Sequence, residues 1–191
     1  MKFTPELAFE GGRVRPLEVE DRDALFQLFQ QPELPGQRPV QAPEQLDRMI
    51  ELSLQMAATQ RGMMWALEVG EPNNWKLLGM VSAYEWQPSL LRVMFRVDGL
   101  PELSMQHRAR ALGRCIAFMA DKYHLFNFGY QWVEGQNPDI KTMLDECGFT
   151  EAARLRDAWR TGERSFSDVV QYHHLVMDSE AESIINQGVS Q

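Results

Sequence analysis

Residues 63–97 constrain this chain most. Three strand-like runs, 63–69, 77–84 and 90–97, are separated only by the turn formers Gly70-Glu71-Pro72-Asn73-Asn74-Trp75 and by Gln87-Pro88-Ser89. Links this short leave no room for a crossover helix, so the runs are expected as antiparallel neighbours in one sheet.

The flanking pattern extends that sheet. Upstream, Val14-Arg15-Pro16-Leu17 reads as an edge strand, because Pro16 cannot donate to a central ladder. Asp21 is placed to cap a helix in which Leu25, Leu28 and Phe29 share a face. Pro32, Pro35 and Pro39 break the chain into a loop. A second helix begins near Pro43 and turns Leu46, Met49, Ile50 and Leu54 to one side. Downstream, Ala111, Leu112, Cys115, Ile116, Met119, Ala120 and Tyr123 recur at steps of three and four, which predicts a long amphipathic helix over 104–123. A strand over 126–133, a short helix stopped at Gly148, and strands over 150–159 and 166–177 complete the order. The fold class is therefore α/β (α+β): a mixed, mostly antiparallel sheet of about seven strands with helices on both faces.

Bulk properties narrow the function. With 191 residues and 44% hydrophobic content, residues 1–178 make one well-buried domain, and 179–191 read as a flexible tail. No run approaches the roughly 20 apolar residues of a membrane span. Met1–Glu10 lacks the apolar centre of a secretory signal, so the cytoplasm is the expected compartment. A formal charge of −8 argues against a nucleic-acid surface and suits either simple solubility or a cationic substrate. The two cysteines have no metal or disulfide spacing and read as reduced packing residues. No metal is expected.

The segment Asn137-Pro138-Asp139-Ile140-Lys141-Thr142-Met143-Leu144-Asp145-Glu146-Cys147-Gly148-Phe149, followed by Arg154, Arg156, Gly162, Asp168 and Tyr172, resembles the C-terminal half of a GNAT-superfamily N-acetyltransferase. The element order resembles that fold over about residues 10–178, and the branch it most resembles acetylates ribosomal-protein N-termini. The resemblance implies acetyl-CoA as co-substrate, a primary amine as acceptor, and a homodimer as a possible assembly.

It also implies a site. In that family the fourth strand and the strand after the long helix splay apart, and the pantetheine arm docks on the exposed strand edge, here Phe95, Arg96 and Val97. The diphosphate then meets the start of the long helix through a Gln/Arg-x-x-Gly-x-Gly/Ala loop. This chain offers Gln106-His107-Arg108-Ala109-Arg110-Ala111, with Ala109 where the central glycine belongs. Setting the helix stripe against the family pattern starts the helix near Arg108, three residues along. His107, Arg108, Arg110 and Arg114 either supply charge to phosphate oxygens or form a solvated face.

Asn137 by resemblance sits at the cleft mouth, where its amide can bond the cofactor arm or the amine. It also reads as an N-cap before Pro138. Leu144 stands where many relatives place a proton-donating tyrosine. Glu85 is the first choice for the base that deprotonates the amine, with Asp98 and His107 as alternatives. Arg154 or Arg156 with Asp168 reads as an ion pair holding the last hairpin. Trp86 is either core or a pocket wall. The alternative function is a non-catalytic ligand sensor or interaction protein on the same fold. A transferase for bulkier acyl groups is a third reading.

Overall fold

The computed structural model describes residues 3–176, so the segment 179–191 expected as a tail lies outside the described residues. Eight strands form one sheet in the order β1-β2-β3-β4-β5-β6-β8-β7. They are β1 (Leu7–Phe9), β2 (Gly12–Pro16), β3 (Met63–Glu71), β4 (Asn74–Gln87), β5 (Arg92–Gly99), β6 (Asn127–Val133), β7 (Thr150–Arg160) and β8 (Phe166–Leu175). The helices are α1 (Arg22–Leu28), α2 (Glu44–Ala58), α3 (Met105–Tyr123) and α4 (Asp139–Glu146). All pairings are antiparallel except β5 with β6.

The expected β3–β4–β5 meander forms, with modest differences at its ends. β4 runs to Gln87 with a bulge after Tyr84, where Glu85 takes a left-handed backbone (φ 48°). Leu90 belongs to a short 3₁₀ turn rather than to β5. The eighth strand is β1, a three-residue hairpin partner of β2 that is too short to announce itself by alternation. At the turn between them Gly11 has φ 83°, and a Cβ there would press on His107.

Alternation along the strands sends side chains to two layers. Trp65, Leu67, Val81, Phe95, Phe128 and Tyr130 pack against the stripe of α3 and against Ile140, Met143 and Leu144 of α4. Ala66 and Met80 face the opposite way, toward Leu25 and Leu28 of α1 and Leu46 and Ile50 of α2. Thus α3 and α4 cover one face while α1 and α2 cover the other. Leu54 departs from expectation: it is 55% exposed, and Ser53 and Ala57 complete the buried stripe of α2 instead.

Asp21 also serves differently from a simple cap of α1. Its carboxylate accepts the Glu18 N–H and takes a two-point contact from Arg15, which bridges on to Glu68 of β3. That network, with Arg13 also on Glu68, fastens the entry to α1 onto the sheet.

Candidate active site

The sheet opens where the two parallel strands part. β5 pairs with β6 from Arg92↔Asn127 only as far as Phe95↔Tyr130. Beyond that point β5 runs on through Arg96–Gly99, while Gln131–Val133 stay paired to β8. The result is a V whose left arm, Arg96–Gly99, carries no strand on its inner edge. Antiparallel pairing to β4 sends the backbone groups of every second β5 residue toward this gap, Val97 among them.

On the α1/α2 face a cavity of about 440 Å³ lies across the V. Its polar lining comes from Ser82, Tyr84 and Glu85 of β4, Arg96 and Asp98 of β5, Gln131 of β6, and Gln37. Its apolar walls are Phe29, Leu34, Met64, Met80, Val133 and Trp159. Asp98 is buried, and that burial pushes its carboxyl above the usual range even though Arg96 donates to it at 2.5 and 2.9 Å. Burial and the neighbouring Glu85 carboxylate likewise raise the Tyr84 phenol.

The segment between α1 and α2 straps over this region. Glu33 pairs with Arg108, Gln37 accepts from Arg96 at 3.1 Å, and the Pro35 carbonyl accepts the Trp159 indole N–H at 2.8 Å. One loop therefore touches α3, β5 and the β7–β8 hairpin together.

On the α3 face two side chains stand in the V itself. The Tyr130 hydroxyl, fully buried, accepts the Val97 N–H at 3.2 Å. Arg108 crosses from the first turns of α3 to lie on Gly99, where a Cβ would come within 2.7 Å of Nη2. Arg108 is 3% exposed, and its guanidinium makes a two-point contact to Glu33, with Nη1 to Oε2 at 2.9 Å; Nε has no hydrogen-bond partner among the described residues.

These observations place each expected site residue. Phe95 puts its ring in the core and Arg96 turns into the cavity, while Val97 offers its backbone to Tyr130. Gln106 is exposed. The His107 ring contacts the N-cap Ser104 at 3.0 Å and packs near Phe9. Ala109 lends its carbonyl to the Cys147 thiol, and Ala111 is buried in the core. Arg110 donates to the Glu10 carbonyl and pairs with its carboxylate, and Arg114 donates to the Ala8 carbonyl. The basic cluster at the start of α3 is thus engaged within the chain, on the β1–β2 hairpin and the strap.

Asn137 is exposed, caps α4 by accepting the Asp139 N–H at 3.0 Å, and does not line the cavity. Leu144 is fully buried core. Trp86 is core too, edge-on to Tyr123 at 4.6 Å. Arg154 pairs with Asp168 at 2.8 Å, and Glu134 joins at 3.2 Å. Sequence reasoning missed Tyr130, Glu33 and Gln37. Tyr130 looked like one more residue of an alternating strand, and the strap residues act through contacts 59 to 75 positions away.

The fold is that of the GNAT acetyltransferases. The chain is similar to the spermidine/spermine N-acetyltransferase SpeG from Vibrio cholerae, solved in mutant forms, at 18% identity, with 94% of this chain and 99% of that one covered and a TM-score of 0.71. It is also similar to the microcin C7 self-immunity acetyltransferase MccE, solved with acetyl-CoA and AMP, at 15% identity, 92% and 99% coverage and a TM-score of 0.77. Identities this low speak for the fold alone. No family model matches the chain, and no curated protein matches it.

Among the described residues no His, Cys, Asp and Glu group could hold a metal ion, and no helix is long and apolar enough to cross a membrane. The inner edge of β5, where a pantetheine arm would dock, does not fit one with its side chains as placed. The Val97 N–H is already bonded, and the space over Gly99 is filled by Arg108.

Proposed function

We propose that this chain is an acetyl-CoA-dependent N-acetyltransferase for a primary amine, working in the cytoplasm. Within that class the N-terminal-acetylating branch is the nearest by its C-terminal segment. The single observation that supports the reading best is the cavity lying across the parted strands, on the face away from α3, with two carboxylates in its lining. An amine there would reach the gap between β5 and β6 from one side, and an acyl carrier on the α3 side would need Tyr130 and Arg108 to move aside.

Acetyl transfer needs the acceptor as free amine. Glu85 is the residue proposed to take that proton, since Asp98 is already engaged by Arg96. Its left-handed backbone at a bulge turns it out of strand register at the cavity rim, the kind of local irregularity that recurs at reacting positions. Tyr84 would hold the amine through its phenol. No step through the acyl carrier is derived, because Tyr130 and Arg108 occupy its place.

The test is a thermal-shift and calorimetric titration with acetyl-CoA. Ligand at 100 times its Kd should stabilise the protein by about 2.7 kcal/mol, and thiol should then be released in the presence of an amine. No shift at millimolar acetyl-CoA removes the enzyme reading. The filled α3 side of the V favours one second reading, a ligand-binding protein without catalysis. A shift with no thiol release across a panel of amines would select it.

A further inference from the structure

The charges facing the 440 Å³ cavity are few, and most are already matched. Asp98 is held by Arg96, and Arg96 is matched by Asp98 and Gln37. Glu33, close by on the strap, is committed to Arg108. What remains is Glu85, which is exposed at the rim and forms no salt bridge among the described residues. Beyond the charged groups and the neutral polar side chains of Gln37, Ser82, Tyr84 and Gln131, the rest of the lining is apolar. Met64 and Met80 form the floor on the sheet, Phe29 and Leu34 come from the α1 side, and Trp159 closes one end. Trp159 has spent its one polar group on the Pro35 carbonyl, so what it offers a ligand is ring.

From this we infer the acceptor's chemical class: an amine with one positive charge and an apolar, preferably aromatic, body, its ammonium on Glu85 and its carbon skeleton on Met64, Met80 and Trp159. Two common alternatives are disfavoured by the same inventory. A polyamine carries several ammonium groups, and among the described residues the lining offers one unmatched carboxylate to receive them; each further cation would have only neutral groups to replace its hydration. A free amino acid brings a carboxylate, and the one cation that the described residues place in the lining, Arg96, is already neutralised by Asp98. An amine whose neighbouring carboxyl is blocked has neither difficulty. That chemistry belongs equally to a free arylalkylamine and to an apolar residue at a peptide N-terminus. Methionine side chains suit such a ligand, because they adapt to irregular apolar shapes and make favourable sulfur–ring contacts. The volume is in the range of sites for small organic ligands, roughly 300–1,000 Å³.

This inference rests on reading the cavity as the acceptor site, but it is tested without any acyl carrier. The experiment is a calorimetric titration of the full chain with phenethylamine, phenylalanine amide, phenylalanine and spermidine at pH 7.5. Phenethylamine, phenylalanine amide or both should bind at least tenfold more tightly than phenylalanine and spermidine, the discrimination expected when an unmatched charge must be buried. Which of the two binds better separates a free amine from a peptide N-terminus. Glu85→Gln should weaken that binding about tenfold while leaving the melting temperature unchanged, since residue 85 is exposed and glutamine keeps its shape. Glu85→Asp should restore part of the affinity. Spermidine or phenylalanine binding as tightly as phenethylamine overturns the inference, and so does an unaltered affinity in Glu85→Gln or no binding by any of the four. Absence of an acetyl-CoA shift with phenethylamine still bound would instead sink the transferase reading and leave the cavity's preference standing.

Discussion

The Glu33–Arg108 pair should reveal itself through an asymmetry between its two halves. Arg108 has a side chain 4% exposed, crossing the gap from α3 onto Gly99; Glu33 is 24% exposed on the strap. Replacing Glu33 by alanine leaves a guanidinium with no route to water, and breaking a buried pair from one side costs about 3–5 kcal/mol. Asp98 and the Tyr130 hydroxyl lie near enough to interact with Arg108, so the lower end, about 3 kcal/mol, is expected. Arg108→Met removes the charge while keeping most of the volume, and Glu33 can rotate to solvent. That change should cost less than about 1.5 kcal/mol, as volume-conserving swaps do.

In a chain of this length each kcal/mol moves the melting temperature by about 2–4 °C, so Glu33→Ala should fall by about 6–12 °C and Arg108→Met by less than about 6 °C. Urea unfolding of both variants, with the slope checked for constancy, supplies the free energies. The double variant should be no worse than Arg108→Met alone, because the penalty belongs to the stranded cation. If Arg108→Met loses as much as Glu33→Ala, or if neither moves the midpoint, the placement of a buried guanidinium in the V is wrong.

Tyr130→Phe leaves the Val97 N–H without its acceptor and should cost about 1–2 kcal/mol in urea melts; under the transferase proposal it should also tighten acetyl-CoA binding by freeing the strand edge, and weaker binding would count against that role. Cys147 is pushed up to about 11 by burial, and the fully buried Cys115 is also raised, so neither thiol should react with Ellman's reagent at pH 8 until the protein is unfolded. One equivalent released by the native protein within minutes would contradict this. The Asp98 carboxyl is raised by burial, so its ionised form opposes folding: the cost is absent below about 3.8, its unfolded value, and grows as pH climbs through the folded value. Asp98→Asn should therefore show a more positive slope of stability against pH above 4 than the parent, and parallel slopes would refute the shift. Asn137→Ala removes the side-chain acceptor at the start of α4 and should cost about 1 kcal/mol. An unchanged melt would exclude the capping role.

The order of elements, the antiparallel meander and the long helix were all legible because each depends on short-range patterning. Strand periods of two, a helical stripe at steps of three and four, and turn formers between them act over a few residues, and the chain repeats them without conflict. Boundaries slipped where local chemistry was ambiguous: β1 is three residues long, and the stripe of α2 runs through Ser53 and Ala57 in place of Leu54 because a small residue can pack close to the sheet. The candidate site was far less legible. Glu85 and Asp98 could be picked as strand-end carboxylates, yet only the β4–β5 register and the bulge after Tyr84 put them with Arg96 in the lining of one cavity.

From sequence alone came a sheet, its helices and a basic cluster at the head of α3. Tertiary structure decided what that cluster does: Arg108 reaches inward to Glu33 across 75 residues of sequence, and Arg110 reaches the β1–β2 turn across 100. Charge in a sequence says only that a partner is needed. Which partner answers, and whether water is excluded when it does, is fixed by distant segments that local periodicity does not encode.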